Sequence, residues 1–296
     1  MENRRSAEEQ IRQDAYRIMA ERGYLRRVEQ AGGELERWRR YLEQLNRPGP
    51  APQDPMLGPR IFPMMEGLSV AAWHDARQIA AAAILERSFE TIRQELQAVD
   101  LSEFIDYDAS ILRGGQWTFM PMFVFGEEVG AFLYRRNPLP NTTRIVKSLP
   151  DVCTALPLAD VTFSAHAPGT RLTPHCSWDP FRLRLHLGIG VPEKCGIRVG
   201  RTAESWKQGE VLVFSEAFEH ETWNDSEQTR IVLILDLWHP ELTEAERRAM
   251  LACFRKKEIR GALMRTRASA NLQPIYYRRF AEAEKRDPLV AQFWFS

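Results

Sequence analysis

The chain has 296 residues, of which 44% are hydrophobic and 27% charged, an ordinary composition for a globular protein with a substantial core. Lysine plus arginine and aspartate plus glutamate are equal at 40 each, so the formal net charge is zero. This balance argues against a general binder of nucleic acid or of anionic membranes, because such proteins carry a basic surplus.

The cysteines and the apolar segments bear on the cellular compartment. The four cysteines include no CxxC pair, and the start MENRRSAEEQ lacks the apolar segment of a signal peptide. Apolar runs such as IVLILDLW are far shorter than the roughly 20 residues that span a bilayer. We therefore expect a cytoplasmic protein without disulfides and without membrane contact.

Residues 1–46 are predicted to form a helical N-terminal arm. Apolar residues recur there at helical spacing, and glycines at 23, 32 and 33 divide the arm into two or three helices. Two roles stay open for it: packing on the main domain, and dimerisation or docking of a partner. The proline-rich run RPGPAPQDPMLGPRIFP then predicts a linker over residues 47–63, and a long helix is expected over 69–99.

From about residue 106 the apolar residues alternate with a period of two, which is typical of β-strands. In RLRLHLGIG, arginines and a histidine alternate with leucines, so one face of the strand is basic and the other apolar. An interior that holds an anion would give this pattern, and so would a row that faces solvent. A capping box from Thr243 to Glu246 predicts a helix to about residue 259, and residues 260–296 are expected to form a helical tail.

The histidines are concentrated between the strands of this region. His175 and His220 lie at the ends of apolar β-type runs, and Arg230 follows the second of them. Neutral imidazoles suit iron, zinc or copper, so the pattern suggests a metal site with a basic group for an anionic co-ligand. The His-x-Asp/Glu form that is usual in non-haem iron oxygenases is absent, because Cys176 and Ser177 follow the first histidine. From these residues alone, zinc or no metal at all stays open.

Several polar residues on neighbouring strands could hold such an anion. The Arg230 guanidinium can pair with a carboxylate, and Ser164, on an earlier strand, offers a hydroxyl. Arg184 and His186 share one face of their strand and are expected to contact the other end of a 2-oxo acid or a substrate carboxylate. His166 and His239 are expected to make hydrogen bonds at strand ends.

Three linked segments, SAHAPGTRLTPH, RLRLHLGIGVP and WKQGEVLVFSEAFEHETWNDSEQTRIVLILDLWHPEL, closely resemble the aspartyl/asparaginyl β-hydroxylase family. Weaker similarity extends over about residues 60–250. The resemblance implies a mainly β fold with flanking helices, in which a double-stranded β-helix (a cupin-like jelly roll) spans residues 64–259. It also implies a dioxygenase that uses Fe(II), 2-oxoglutarate and O2, hydroxylates or otherwise oxidises an unactivated C–H bond, and releases succinate and CO2.

The resemblance also implies roles for single residues. His175 and His220 resemble the iron ligands of the family, which has two histidines and no carboxylate at the metal. The residues that resemble contacts to 2-oxoglutarate or to a substrate carboxylate are Ser164, Arg184, His186 and Arg230. Arg184 is expected to take part in catalysis with the two histidines, and Trp117 resembles a tryptophan near the cosubstrate.

Two departures from the family bear on the substrate. Ser215 and Glu216 stand where acidic residues are usual, and Trp178 and Phe181 are expected to make the mouth of the pocket bulky and apolar. These features favour a small carboxylate-bearing or amino-acid-derived substrate, free or carrier-bound. Hydroxylation of Asp or Asn residues in a peptide is the alternative, and a non-catalytic jelly-roll binding module is the third. A homodimer through the terminal helices stays open.

Overall fold

Two antiparallel β-sheets form the centre of the computed structural model, which describes residues 2–21, 23–45, 54–59, 61–107, 111–124, 127–128, 136–154 and 159–254. In chain order the strands are β1 (Trp73–His74), β2 (Ile105–Asp106), β3 (Leu112–Arg113), β4 (Trp117–Val124), β5 (Glu127–Glu128), β6 (Asp160–His166), β7 (Thr170–His175), β8 (Arg182–Gly190), β9 (Cys195–Val199), β10 (Thr202–Glu204), β11 (Val211–Phe214), β12 (His220–Asn224) and β13 (Arg230–Trp238). Among the described residues, the larger sheet has the order β1-β11-β8-β13-β6-β4-β2, with β5 paired to β4, and the smaller has β10-β9-β12-β7-β3. Two such sheets packed face to face are a jelly roll, so the predicted fold class is confirmed.

The alternation of side chains in β8 defines the inside and the outside of the larger sheet. Leu183, Leu185 and Leu187 pack outward in one apolar cluster with helices, whereas Arg182 and His186 point between the sheets and are 6% and 5% exposed. The basic row therefore lies inside the protein, and the alternative of a solvent-facing row is wrong.

Helices cover the outer face of the larger sheet and the N-terminal side of the core. In chain order they are α1 (Glu2–Glu21), α2 (Tyr24–Gln30), α3 (Glu36–Gln44), α4 (Ala80–Arg87), α5 (Phe89–Gln97), α6 (Pro140–Ser148) and α7 (Glu244–Phe254). Helices α4 to α6 pack on the outward leucines of β8. Within the described part of the chain, no helix has both the length and the apolar character needed to cross a membrane.

The single helix expected over 69–99 is wrong. Trp73 and His74 instead form β1, which pairs with Phe214 and Val213 of β11. The Asp75 carboxylate then accepts a hydrogen bond from Arg77 N (3.0 Å) and begins a short 3-10 turn before α4. The edge of β11 pairs with the backbone of β1, and the Asp75 carboxylate pairs with the amide of Arg77. These contacts replace the hydrogen bonds that a continuous helix would make, and the helical pattern is therefore interrupted.

The capping box predicted for the last described helix is confirmed. Thr243 N donates to Glu246 Oε2 (2.9 Å), and Glu246 N donates to Thr243 Oγ1 (3.2 Å). Arg37 of α3 donates to the same carboxylate through Nε (2.7 Å), so the N-terminal arm is tied to the start of α7. Residues 255–296, which include the predicted tail, and residues 47–53 and 60 of the predicted linker lie outside the described residues.

The N-terminal arm shares an apolar cluster with the β-core. Trp38 and Tyr41 of α3 are stacked and pack edge-on against Phe181, in the loop before β8. Phe62 and Phe254 complete this aromatic cluster, whose members are all less than 2% exposed. The structure shows the first of the two roles left open for the arm, which is packing on the main domain. The domain boundaries stay predictions.

Trp38→Ala is expected to lower the free energy of unfolding by about 3–5 kcal/mol, because it removes the largest ring of this cluster and leaves a cavity. Urea unfolding followed by circular dichroism measures the loss. Arg40→Ala, at a half-exposed position of the same helix, should change stability by less than about 0.5 kcal/mol. An equal effect of the two substitutions would contradict the packing of the arm on the core.

Candidate functional site

His175 and His220 face each other between two neighbouring strands. His175 ends β7, His220 begins β12, and the two residues are direct partners in the antiparallel register. Their ring centroids are 4.2 Å apart, and the side chain of His220 is almost fully buried. The pairing of the strands thus brings together two residues that are 45 positions apart in the sequence.

The backbone fixes the orientation of both rings. Nδ1 of His175 lies 2.7 Å from the carbonyl oxygen of Thr173, and Nδ1 of His220 lies 2.9 Å from that of Phe218. A carbonyl oxygen can only accept, so Nδ1 carries the proton in each ring and Nε2 keeps its lone pair. Burial lowers the pKa of His220 to about 4 and keeps the ring neutral. An imidazole whose proton lies on Nδ1 can coordinate a metal through Nε2, so this facing pair fits a metal ion such as Fe(II).

Carboxylates near this pair are held by other groups. The Asp179 carboxylate lies 2.8 Å from the guanidinium of Arg182 and forms an ion pair with it, so it does not serve as a ligand beside the two histidines. Glu216 Oε1 lies 2.8 Å from Arg184 and 3.6 Å from His220 Nε2. Among the described residues, no group of three or more His, Cys, Asp or Glu side chains is placed to hold a metal. Within the described part of the chain, the candidate metal ligands are therefore the two histidines alone.

The loops that carry the two histidines are bound to each other and to a segment that we call the strap (residues 54–59 and 61–62). Ser177 N, after the first histidine, donates to Glu216 O, before the second (2.8 Å). The bonds to the strap run from Glu219 N to Met56 O (2.6 Å), from Gly58 N to Ala217 O (3.0 Å), and from Ile61 N and Phe62 N to Trp178 O (3.1 and 2.8 Å). This described part of the predicted linker is thus bound along its backbone to both loops.

Arg230, the first residue of β13, is a buried cation. Its Cζ lies 4.6 Å from the ring centroid of Trp206, and its NH1 donates to the backbone oxygen of Ser164 (3.3 Å). Burial lowers its pKa to about 9, and its Nε has no hydrogen-bond partner within the described residues. Because a buried cation without a counter-ion is costly, this site fits an anionic ligand.

His186 offers a hydrogen-bond donor beside this cation. Trp206 Nε1 donates to His186 Nδ1 (3.2 Å), so the proton of the neutral imidazole is on Nε2. That Nε2 is buried and unpaired as far as the structure describes the chain. Gly188, two residues along β8, lets the Trp206 segment approach, because a Cβ there would overlap the backbone of Lys207.

Ser164 and Trp117 form the third part of the anion site. Trp117 Nε1 donates to Ser164 Oγ (3.0 Å), so the hydroxyl proton of the serine remains available for another acceptor. Ser164 is 2% exposed and lies on β6, next to the β13 strand of Arg230. The structure therefore brings four of the predicted cosubstrate residues into one region: Ser164, His186, Arg230 and Trp117.

Arg184 lies in a different charged group, at the other end of the β13 strand. Its Nε and NH2 donate to the two oxygens of Asp236 (2.9 and 3.0 Å), and its NH1 contacts Glu216. Arg182 also donates to Asp236, which is 0% exposed. Burial opposes ionisation of Asp236, but the two guanidinium groups outweigh it and lower its pKa. The predicted carboxylate-binding and catalytic role of Arg184 stays a prediction, because the guanidinium already has carboxylate partners.

The expected bulky mouth of the pocket is wrong. Phe181 is 0% exposed and packs on Trp38, Tyr41 and Phe62, and Trp178 packs against the same cluster. The loop is drawn toward the N-terminal arm because burial among aromatic rings stabilises it there. These two side chains therefore give no support for a small apolar substrate.

Three features of the site were not assigned from the sequence. Trp206 contacts both Arg230 and His186, Asp236 fixes the two arginines of β8, and the strap binds the ligand loops. Only Asp236 had a usable signal, since it is a lone acid inside the apolar run IVLILDLW, where a buried charge requires a partner.

Asp236→Asn is expected to lower the free energy of unfolding near neutral pH by about 3–5 kcal/mol, because two buried cations lose their shared carboxylate. The folded-state pKa of Asp236 is lowered, so its contribution is present above the unfolded pKa and lost as the pH falls through the folded one. Urea unfolding of both proteins at neutral and acidic pH should show the difference shrink in acid. Asp225→Asn, which breaks an exposed pair with Arg171, should cost less than about 1 kcal/mol.

Comparisons with known proteins agree with this geometry. A family model described as aspartyl/asparaginyl beta-hydroxylase matches residues 86–240, more than half of the chain. Human aspartyl/asparaginyl beta-hydroxylase is 32% identical over 200 residues, which cover 64% of this chain and 25% of that protein. The ornithine lipid ester-linked acyl 2-hydroxylase of Rhizobium tropici is 33% identical over 178 residues, which cover 56% of this chain and 60% of that protein. The chain thus spans about a quarter of the human relative and three fifths of the bacterial one.

The solved structures that match the chain have low TM-scores and low sequence identity. An oxidoreductase of the 2OG-Fe(II) oxygenase family from Burkholderia pseudomallei has a TM-score of 0.36 and 11% identity, with 52% of this chain and 79% of that chain covered. A cupin-like protein from Thermotoga maritima has a TM-score of 0.29 and 17% identity, with 51% and 96% covered. On the family match to residues 86–240, the chain belongs to the aspartyl/asparaginyl β-hydroxylase family.

Proposed function

We propose that the chain is an Fe(II)- and 2-oxoglutarate-dependent dioxygenase that hydroxylates a C–H bond. The observation that carries this proposal is the combination of two facing histidines, each with Nδ1 bound to a backbone carbonyl, and a buried arginine that has no counter-ion in the described structure. Family membership supports it, and 2-oxoglutarate and Fe(II) are the cofactors that the family implies. A jelly-roll module without catalysis would need neither the oriented histidines nor the uncompensated cation.

The side chains have separate tasks in this proposal. His175 and His220 would hold Fe(II), and the bound iron with 2-oxoglutarate and O2 would supply the oxidation that yields succinate, CO2 and the hydroxylated product. Arg230 and Ser164 bind the distal carboxylate of the cosubstrate, while Trp206 holds His186 with its donor toward the site. The carbonyl oxygens of Thr173 and Phe218 fix the histidine tautomers, which matters more with only two protein ligands.

Arg182, Arg184 and Asp236 form the rigid end of the interior. Their salt bridges are buried and mutually satisfied, so this group keeps its geometry when ligands bind. Glu216 extends the group to His220 and thereby connects it to the metal ligands. In the proposed mechanism these residues orient the ligands and exclude water.

For the substrate, we propose a small carboxylate-bearing or amino-acid-derived molecule, free or carrier-bound. The name of the Rhizobium relative, an acyl 2-hydroxylase of an ornithine lipid, supports this class. Asp or Asn residues in a peptide are the alternative, which the name of the human relative supports. A cytoplasmic location, a homodimer through terminal helices and the absence of nucleic-acid or membrane partners remain proposals.

Succinate formation tests the activity directly. With Fe(II), 2-oxoglutarate and a substrate panel of amino-acid derivatives, acyl carriers and Asp- or Asn-containing peptides, the wild-type protein should release succinate in step with one product. His175→Ala and His220→Ala should each lower the rate by more than about a hundred-fold, because each removes a metal ligand. His74→Ala, whose ring packs on His239 instead, is the matched control and should retain activity. Equal rates in all four proteins would refute the metal assignment.

Arg230→Met is expected to stabilise the ligand-free protein by about 1–2 kcal/mol, because it removes a buried cation that lacks a counter-ion. Addition of 2-oxoglutarate to the Mn(II)-loaded proteins should raise the Tm of the wild-type protein but not that of the variant. Differential scanning calorimetry measures both effects. Arg182→Met, which breaks buried salt bridges, should instead destabilise the protein by about 3–5 kcal/mol, so loss of stability in both variants would contradict the assignment.

A further inference from the structure

His166 is a buried polar side chain without a role in the site as built so far. It ends β6 and is 1% exposed, and its Nδ1 makes no hydrogen bond in the part of the chain that the structure describes. The expectation that it hydrogen-bonds at a strand end is therefore not met by its Nδ1. Since nearly all buried polar groups in proteins have a partner, an unpaired nitrogen at this depth requires an explanation.

The strand register places His166 between two residues of the anion site. It is the direct partner of Arg230 on β13 and of Trp117 on β4. Its side chain shares the inward face of β6 with Ser164, because residues two apart in a strand point to the same side. The Trp117 ring packs edge-on against the imidazole with centroids 5.8 Å apart.

We propose that His166 is a further cosubstrate-binding residue that donates from Nδ1 to the distal carboxylate of 2-oxoglutarate. This inference rests on the proposed function and extends its binding site by one residue. Three observations support the inference: His166 lies on the inward face, it is fully buried, and it has an unpaired nitrogen next to Arg230.

The number of donors around the site agrees with a single carboxylate. A carboxylate has about four lone-pair positions for hydrogen bonds. Arg230 Nε, His186 Nε2 and His166 Nδ1 are all buried and unpaired in the described structure, and Ser164 has a free hydroxyl proton. In the proposed site Arg230, His166 and Ser164 bind the distal carboxylate, and His186 contacts the 2-oxo acid end of the same molecule. One ligand would thus provide a partner for all three unpaired nitrogens.

The charges also match. Burial, together with the charge of Arg230, holds the pKa of His166 well below its ordinary value. Burial acts in the same direction on His186, whose pKa is also far below the ordinary range. Both imidazoles are therefore neutral, and Arg230 supplies the single positive charge for a single carboxylate. In the proposed site His166 takes the tautomer with its proton on Nδ1. Three cations would instead repel one another in the buried interior.

The experiment measures ligand binding without turnover. Isothermal titration calorimetry of Mn(II)-loaded protein compares 2-oxoglutarate with 2-oxobutanoate, which has the same 2-oxo acid end but no distal carboxylate. His166→Leu should weaken 2-oxoglutarate binding by about ten- to a hundred-fold, because a hydrogen bond to a charged group is lost. Binding of 2-oxobutanoate should change by less than about threefold. His166→Gln, which keeps an N–H donor, should recover most of the 2-oxoglutarate affinity.

The remaining outcomes overturn the inference in distinguishable ways. If His166→Leu weakened the binding of both ligands equally, His166 would be rejected and the proposed function would stand. The same would follow if His166→Leu left 2-oxoglutarate affinity unchanged while Arg230→Met abolished binding. No binding of 2-oxoglutarate by the wild-type protein would reject both. Mn(II) affinity of each variant reports that the metal site is folded, and His166→Met, with an adaptable side chain, replaces the Leu variant if that fails to fold.

Discussion

The interior of this protein depends on the buried charge of Arg230, for which no residue in the described ranges supplies a counter-ion. A guanidinium that is 2% exposed loses its hydration, and the face of Trp206 offsets only part of that cost. The surroundings are arranged around this charge: Gly188 admits the Trp206 segment, and His186 stays neutral. Burial of this charge costs desolvation free energy, and a bound anion would offset that cost. Because the desolvation has already taken place on folding, it does not have to be paid again on binding.

The interior of the jelly roll contains two charged groups along β13, which differ in whether their charges are paired. At one end, Asp236 binds two arginines and leaves the group internally satisfied. At the other end, Arg230 Nε, His186 Nε2 and His166 Nδ1 have no hydrogen-bond partner in the described structure. Val232 and Ile234 lie between the groups and are buried, so the apolar middle of the strand separates them. One group thus maintains geometry, and the other binds a ligand.

Much of the fold and of the site could be predicted from the sequence because the relevant signals are local. The alternation in β8 predicted its inward basic face, and the order of the histidines, Ser164 and Arg230 predicted residues that the sheet register brings together. The failures depend on contacts distant in sequence. The edge of β11 converts part of an expected helix into β1, and the aromatic cluster of the N-terminal arm removes Phe181 from the pocket. His166 was missed because an unpaired atom can be recognised only in three dimensions.

The strap makes the loops of the two histidines, the proposed metal ligands, dependent on chain that lies outside the residues matched by the family model. A shorter chain that began near residue 86 would leave the amide of Glu219 and the carbonyls of Ala217 and Trp178 to pair with water. If the two histidines bind a metal as proposed, loosening of the strap would change metal affinity, and metal binding would in turn protect the strap by thermodynamic linkage. The backbone hydrogen bonds thus extend the unit that holds the two histidine loops beyond the residues that the family model matches.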